Sequence, residues 1–330
     1  MPYFRIKPRG KIMKSCFSFA ALCIMAFQAF SQGARNLSPA KEGASFTLTI
    51  LGIAQDGGYP QIGCRKPCCE AIRKGTESSR HVTSLAITDA RFGKYWLWEA
   101  TPDMPEQLNK LQSNKANGPF QLPEGIFLTH GHIGHYTGLM HLGREAYGAK
   151  GVDVFAMPRM KQFLSDNGPW SQLITLGNIT IRPLKADSTL EISENLKVTP
   201  LKVPHRDEYS ETVGFLIEGT KKLLFIPDID KWEKWDRSLD SLIREVDLAL
   251  IDGTFFDIDE LPGRDMREIP HPFVTESMQK LSGLPKAVRN RVMFIHFNHT
   301  NPLIRNGSLQ TKKLTDQGFQ IAREGWTFKL

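Results

Sequence analysis

The chain has 330 residues, 41% hydrophobic and 23% charged, a globular composition that excludes a disordered chain. Lysine and arginine total 42 against 35 acidic residues, but six of the basic residues and no acidic one fall in residues 1–35, which leaves 36 against 35, a net charge of +1. A body this close to neutral gives no support for a nucleic-acid partner; the small-molecule substrate expected of this chain rests on its site residues.

Residues 1–31 read as an export signal. Arg5, Lys7, Arg9, Lys11 and Lys14 precede an apolar run from Cys16 to Phe30, and Ala29-Phe30-Ser31 places small residues three and one positions before a cut. The run is shorter than the about 20 apolar residues a membrane span requires. No stable span is therefore expected once the leader is cleaved, and the mature protein is expected to start near Gln32, in the periplasm or secreted. A retained anchor is the rival reading. Met13 begins a more ordinary leader than Met1 does. Residues 32–44 are small and polar and read as a linker to one domain at 45–330.

The run Phe46-Thr47-Leu48-Thr49-Ile50-Leu51 alternates and ends at Gly52, the pattern of a strand. A loop follows through Gly57-Gly58-Tyr59-Pro60 to Cys64, Cys68 and Cys69. Strands are predicted at 83–88, 94–99, 125–129, 197–203, 212–218, 222–227, 247–252 and 291–296, and helices at 104–112, 136–148, 231–244 and 273–282. They alternate without a clear linker, which indicates one mixed α/β domain with a layered core.

Three of the nine histidines fall in Thr129-His130-Gly131-His132-Ile133-Gly134-His135, on a turn between an apolar strand and a helix. Imidazole suits zinc or iron, and three rings this close would be unfavourable as a cationic cluster. Metal binding is the reading preferred over a polar turn. Further candidates each follow an apolar run: His205, Asp228, Asp252, His296 and His299. One such residue is commonplace, but five suggest one site on one edge of the sheets. Asp230 rivals Asp228, and His271 is a further candidate. His81 and His141 read as structural or surface residues. Cys16 and Cys23 lie in the leader, so three clustered cysteines remain, which point to a metal knuckle or a local disulfide rather than a disulfide framework.

With Glu99-Ala100-Thr101-Pro102-Asp103, Asp252-Gly253-Thr254-Phe255 and His296-Phe297-Asn298-His299-Thr300-Asn301-Pro302, this ordered set resembles the metallo-β-lactamase superfamily over residues 46–330. Within it, the chain looks most like the pyrroloquinoline-quinone biosynthesis B branch. The resemblance implies an αβ/βα four-layer sandwich with one or two metals, zinc first and iron or manganese as alternatives, between the sheet edges. By matched position His130, His132 and His205 would hold the first metal, His135 and His296 part of a second, and Asp228 would bridge. Asp252, His271 and His299 are substitute ligands or partners behind them. The cysteine loop resembles the branch's structural zinc loop, Cys-x-Cys-x-x-Cys. Cys64 and Cys69 keep the outer positions, Cys68 stands in for the middle one, and a fourth ligand must come from elsewhere.

Three departures stand out. Gly134 occupies the place of an aspartate, Glu99 stands where an aspartate often ends an early strand, and this chain keeps the turn's first histidines, which the branch has lost. The second metal site is therefore expected to be weak unless Asp252, His271 or His299 completes it. The implied activity is hydrolysis of an ester, lactone, amide or small phosphodiester by hydroxide generated on the metal. Asp228 would hold the hydroxide or take its proton, and the pair His271 and His299 would protonate the leaving group. Trp170 is a candidate for the mouth, with loop packing as its plainer role. The alternatives are an iron-dependent oxygenase and a non-catalytic metal-binding protein.

Overall fold

The computed structural model describes residues 46–113 and 119–330; the export signal and linker expected at 1–31 and 32–44 lie outside the described residues. The strands are β1 (Phe46–Gly52), β2 (Ser84–Asp89), β3 (Lys94–Trp98), β4 (Gly125–Phe127), β5 (Val152–Ala156), β6 (Ile179–Pro183), β7 (Leu190–Ser193), β8 (Leu196–Lys202), β9 (Val213–Glu218), β10 (Lys222–Ile226), β11 (Leu248–Asp252), β12 (Val292–Ile295), β13 (Gln320–Ile321) and β14 (Thr327–Lys329). The helices are α1 (Pro67–Arg73), α2 (Met104–Gln112), α3 (Ile133–Tyr136), α4 (Pro158–Asp166), α5 (Trp170–Thr175), α6 (Leu239–Glu245), α7 (Val274–Lys280), α8 (Lys286–Arg289) and α9 (Leu309–Asp316). Among the described residues no helix is long and apolar enough to cross a membrane.

Two seven-stranded sheets form, ordered β14-β1-β2-β3-β4-β5-β6 and β13-β12-β11-β10-β9-β8-β7. Alternation along the strands splits their side chains between two faces. In the first sheet Phe46, Leu48, Ile50, Trp96, Trp98 and Phe127 face the second sheet's core residues. Leu51, Tyr95, Leu97, Ile126 and Leu128 pack on the other face, with Leu108 of α2, Met160 and Leu164 of α4 and Leu173 of α5. Leu239 and Ile243 of α6, Val274 and Met278 of α7 and Leu314 of α9 join the core of the second sheet. The result is the expected sandwich of helix, sheet, sheet and helix layers.

Each sheet has three antiparallel pairings on one side and three parallel ones on the other. The change falls at β3 in one sheet and β10 in the other. Parallel strands place their carboxyl ends together, and ligands in such sheets bind outside those ends. Glu99 follows β3, His130 follows β4, Asp228 follows β10, Asp252 ends β11 and His296 follows β12. One aromatic stack supports that edge. Trp98 and Phe127 stack at 4.9 Å, Phe127 and Phe155 at 4.3 Å, and Phe215 from the opposite sheet meets Phe127 edge-on at 5.7 Å.

Two expected helices are not formed as read. The segment expected as a helix over 136–148 is α3 followed by a 3-10 turn at Thr137–Leu142. The chain is pressed there against residues 100–101: a Cβ on Gly138 would stand 2.0 Å from Thr101 O. The segment expected over 231–244 is a 3-10 turn at Trp232–Lys234 and then α6, whose N-cap Ser238 accepts from Ser241 N. Trp232 Nε1 donates to Ser277 Oγ and Trp235 Nε1 to Lys202 O, both at 2.8 Å, and these two anchors displace a regular helix.

The loop between β11 and α7 is tied down by Glu260, which accepts from Phe256 N at 2.5 Å and from Thr300 Oγ1. Burial pushes its carboxyl up to about 7, above the about 4.3 of an unfolded chain. Its contribution to stability is therefore complete below about pH 4.3 and lost as pH rises through 7. Thermal unfolding of metal-free protein should show a Tm that falls between pH 5 and 8, and Glu260→Gln should remove that component. Phe127→Ala opens a cavity beneath the histidine turn and should cost about 3–5 kcal/mol in denaturant unfolding.

Candidate metal centre

The histidine turn leaves β4 at Phe127, and Gly131 N donates to Ser210 Oγ at 2.8 Å, which fixes the turn against the loop after β8. His130 Nδ1 lies 2.9 Å from Thr129 Oγ1, so its Nε2 is free to face inward. The rings of His130, His132 and His205 approach one another at 4.3, 5.3 and 5.0 Å between centroids. A ligand-type atom from each, with one from Asp228, lies within 4.8 Å of the others. This is the group expected to hold the first metal.

A second group is Asp56, His135 and His296. His135 Nε2 is 3.0 Å and His296 Nε2 3.7 Å from Asp56 Oδ1. His135 Nδ1 faces Glu99 Oε1 at 3.4 Å, and His296 Nδ1 meets Thr254 Oγ1 at 2.9 Å. His296 is thus backed at Nδ1 by a hydrogen-bond partner, an arrangement that orients metal ligands, while His135 Nδ1 meets Glu99 in a charge contact without hydrogen-bond alignment. Glu99 and His296 each have a left-handed backbone, with φ of 72° and 67°. Such a conformation is rare outside glycine and collects at functional sites.

Asp228 lies between the groups. Its Oδ2 is 3.4 Å from His130 Nε2, 3.7 Å from His135 Nε2 and 4.0 Å from His296 Nε2, while Oδ1 is 3.4 Å from His205 Nε2 and 3.2 Å from His271 Nδ1. His271 Nδ1 also lies 2.9 Å from Asp252 Oδ2, and Asp252 accepts from Thr254 N and Oγ1 on its other oxygen. Burial would lower the His271 pKa, yet Asp252 and then Asp228 hold it at about 9. Burial likewise opposes Asp56 and Asp228, but neighbouring histidines hold both carboxyls well below the carboxylate range. Burial takes His130 and His205 down, whereas Glu99 and Asp56 overcome it and raise His135.

The donor atoms fit a metal on a direct test. Asp56 Oδ1, His130 Nε2, His135 Nε2, His205 Nε2, Asp228 Oδ1 and His296 Nε2 are buried and have no aligned hydrogen-bond partner among the described residues. A buried polar group left this way costs about 1–3 kcal/mol, and six concentrated in one place indicate a missing multivalent partner. The short His135–Asp56 distance is a charge contact without hydrogen-bond alignment.

The structure revises the expectation for Gly134. None of Asp252, His271 and His299 fills the space of the absent side chain. A Cβ on Gly134 would stand 2.3 Å from Asp56 Oδ1 and 2.7 Å from Asp56 Cα, so a carboxylate from another loop occupies it. Asp56 was missed because Gln55-Asp56-Gly57-Gly58 reads as a turn. The available signal was an acidic residue just past an apolar strand, the pattern that singled out Asp228.

His299 is also revised. It does not pair with His271; it stands with Cys64, Cys68 and Cys69, all four ligand atoms within 4.8 Å of one another. The cause is the chain path: Phe297 N donates to Ile53 O and Gln55 N to Phe297 O, both at 2.8 Å, which carries residues 298–299 toward the cysteine loop. The three thiols are free, with Cys64 and Cys68 Sγ 3.7 Å apart, and three sulfurs with one imidazole match tetrahedral zinc. Asp230 is engaged by Lys231 N and Lys234 Nζ, which leaves Asp228 as the central acid. His81 is an ion-pair residue between Glu324 and Glu106. Trp170 packs on Tyr136 and Phe163, at 4.9 and 6.1 Å, the plainer of its two roles.

The chain belongs to the beta-lactamase superfamily, whose domain matches residues 95–297. Within that superfamily it is PqqB-like. It is 28% identical over 308 residues to the coenzyme PQQ synthesis protein B of Methylobacillus flagellatus, a match that covers 84% of this chain and 98% of that protein. The crystal structure of Zn(2+)-bound PqqB from Methylobacterium extorquens aligns with a TM-score of 0.72 at 25% identity, over 86% of this chain and 100% of that one. A diphosphatase from the PhnP family shares the fold, with a TM-score of 0.61 at 20% identity over 86% and 97% of the two chains.

Because Asp56 fills the space beside residue 134, Gly134→Asp should not strengthen the second site. It should displace Asp56 and weaken metal binding by at least about tenfold, the scale on which even supporting residues matter. Asp56→Gly combined with Gly134→Asp should restore affinity. Titrating zinc into metal-free protein against a chromophoric chelator measures both effects.

Proposed function

We propose that this chain is an exported metallohydrolase that holds zinc at the carboxyl edge of its two sheets and cleaves a small ester, lactone, amide or phosphodiester. The observation that carries the reading is the set of buried, partnerless ligand atoms around Asp228. His130, His132 and His205 would hold one metal, Asp56, His135 and His296 another, with Asp228 between them. Metal bound there lowers the pKa of its water from about 15.7 toward 7 and polarises the substrate oxygen.

The chain's own residues supply the rest. Asp228 is kept ionised by the imidazoles around it, so it can accept a hydrogen bond from the attacking water and orient it. His271, held at about 9 by Asp252 and Asp228, carries a proton at neutral pH. Cations bound nearby would bring that value down toward neutrality, where a general acid works best. His271 is thus the proton donor to the leaving group. Export rests on the basic and apolar leader in residues 1–31.

A second reading is an iron-dependent oxygenase. Histidines with carboxylates suit iron as well as zinc, and the 28% identical relatives are coenzyme PQQ synthesis proteins. Zinc-loaded protein should hydrolyse at least one member of an ester, lactone, amide and phosphodiester panel and lose that activity with chelator. His271→Asn should lower kcat by about 10²-fold or more with metal content unchanged. Bound iron with oxygen uptake and no hydrolysis would select the second reading, and full metal loading with neither activity would reject both.

A further inference from the structure

Asp56 and His296 belong to segments that run directly into the cysteine group, eight residues on at Cys64 and three residues on at His299. Asp56 is held at its site by charge rather than by an aligned hydrogen bond, with Oδ1 3.0 Å from His135 Nε2 and 3.7 Å from His296 Nε2. Its Oδ1 has no hydrogen-bond partner among the described residues, and Gly58, two residues later, has a φ of +66° with open space at its Cβ position. Gly58 N donates to Gln55 O at 2.8 Å and closes the turn that carries Asp56, a turn whose left-handed residue glycine allows.

Its anchors lie on either side. Upstream, residues 53–55 and 297 are joined by two backbone hydrogen bonds of 2.8 Å. Downstream, buried Tyr59 donates its hydroxyl to Cys68 O at 2.8 Å, and the loop reaches Cys64. On the other segment, His299 Nδ1 lies 3.1 Å from Asn298 Oδ1, and Asn298 Nδ2 donates to Thr300 Oγ1 at 2.6 Å. A metal on the three sulfurs and His299 would close residues 55–64 and 297–299 into one ring of chain that contains Asp56, with His296 one residue outside it at the Phe297 anchor.

We propose that the Cys64–Cys68–Cys69–His299 group is a positioning device for the second catalytic metal: by clamping the Asp56 loop to the His296 segment, it sets the affinity of the Asp56–His135–His296 site. The proposal rests on the functional reading only in requiring that this site bind metal, and not on hydrolysis. The coupling is an equilibrium between two sites, so it is reciprocal. The group at His130, His132 and His205 lies on neither segment and is outside the coupling.

The test is a zinc titration of metal-free protein against a chromophoric chelator, comparing wild type, His299→Ala and Cys69→Ser. Each variant should lose one zinc and bind one of the remaining two more weakly by about tenfold or more, with the other unchanged. In the background of Asp56→Gly with Gly134→Asp, where the carboxylate sits on the histidine turn, the effect of His299→Ala should shrink. Loss of one zinc with the other two affinities unchanged would overturn the proposal. If the variants do not fold, displacing cysteine-bound zinc from folded wild type with an organic mercurial reads the same quantity. A second zinc that then passes to the chelator about tenfold more readily supports the coupling, and an unchanged affinity of the remaining zincs overturns it. Wild type that binds no zinc at the two histidine groups would instead reject the functional reading.

Discussion

Five imidazole nitrogens lie within 4.0 Å of one buried carboxylate, that of Asp228. Burial alone would favour the neutral acid, but the histidines, His205 foremost, keep it ionised. The rings respond in opposite directions. His130 and His205 are pushed toward the neutral form by burial, while His135, beside Glu99 and Asp56, and His271, beside Asp252, are held toward the charged one. Protons alone leave the Nε2 atoms of four rings and one oxygen each of Asp56 and Asp228 without partners. Multivalent cations between the groups would satisfy them together, and a buried charge cluster of this kind is otherwise costly.

The fold delivers this arrangement through where its strands end. β3 and β10 are the strands at which the two sheets change from antiparallel to parallel pairing, and Glu99 and Asp228 follow them. The candidate ligands come from loops of both sheets, so the centre depends on the sheets being locked face to face. The Trp98–Phe127–Phe155 stack, capped edge-on by Phe215, does this directly below the histidine turn. The left-handed backbones at Glu99 and His296 are strained positions that a rigid core can hold in place. Stability in the aromatic layer and geometry at the metal edge are therefore one problem.

The sandwich and most of the ligand set were legible because they share one signature: an apolar run that ends in histidine or aspartate. The central strands were legible for the same reason, since both faces are buried. β6 and β7 are mostly half-exposed or exposed, and β13 and β14 are two and three residues long, too short for periodicity to register; β5 alternates buried and half-buried residues, a readable pattern that went unread. The expected helix at 136–148 failed because Gly138 is needed for close approach to residues 100–101, a tertiary demand with no local signature. Asp56 and the partner of the cysteines escaped for a related reason. Each belongs to a site shared between loops far apart in sequence, and only the pairing of residues 53–55 with 297 brings those loops together.

The space beside residue 134 is filled by the carboxylate of Asp56, so the proposed second site draws its oxygen from the chain segment at residue 56. What the chemistry requires is a carboxylate oxygen at one point in space, reached here from the loop after β1. Anomalous X-ray scattering at the zinc edge, from crystals grown with zinc, tests this most directly. The account predicts two peaks flanking Asp228, one bonded to His130, His132 and His205 and the other to Asp56, His135 and His296. A single peak, or a second metal bonded to His135 and His296 with Asp56 turned away to solvent, would contradict it.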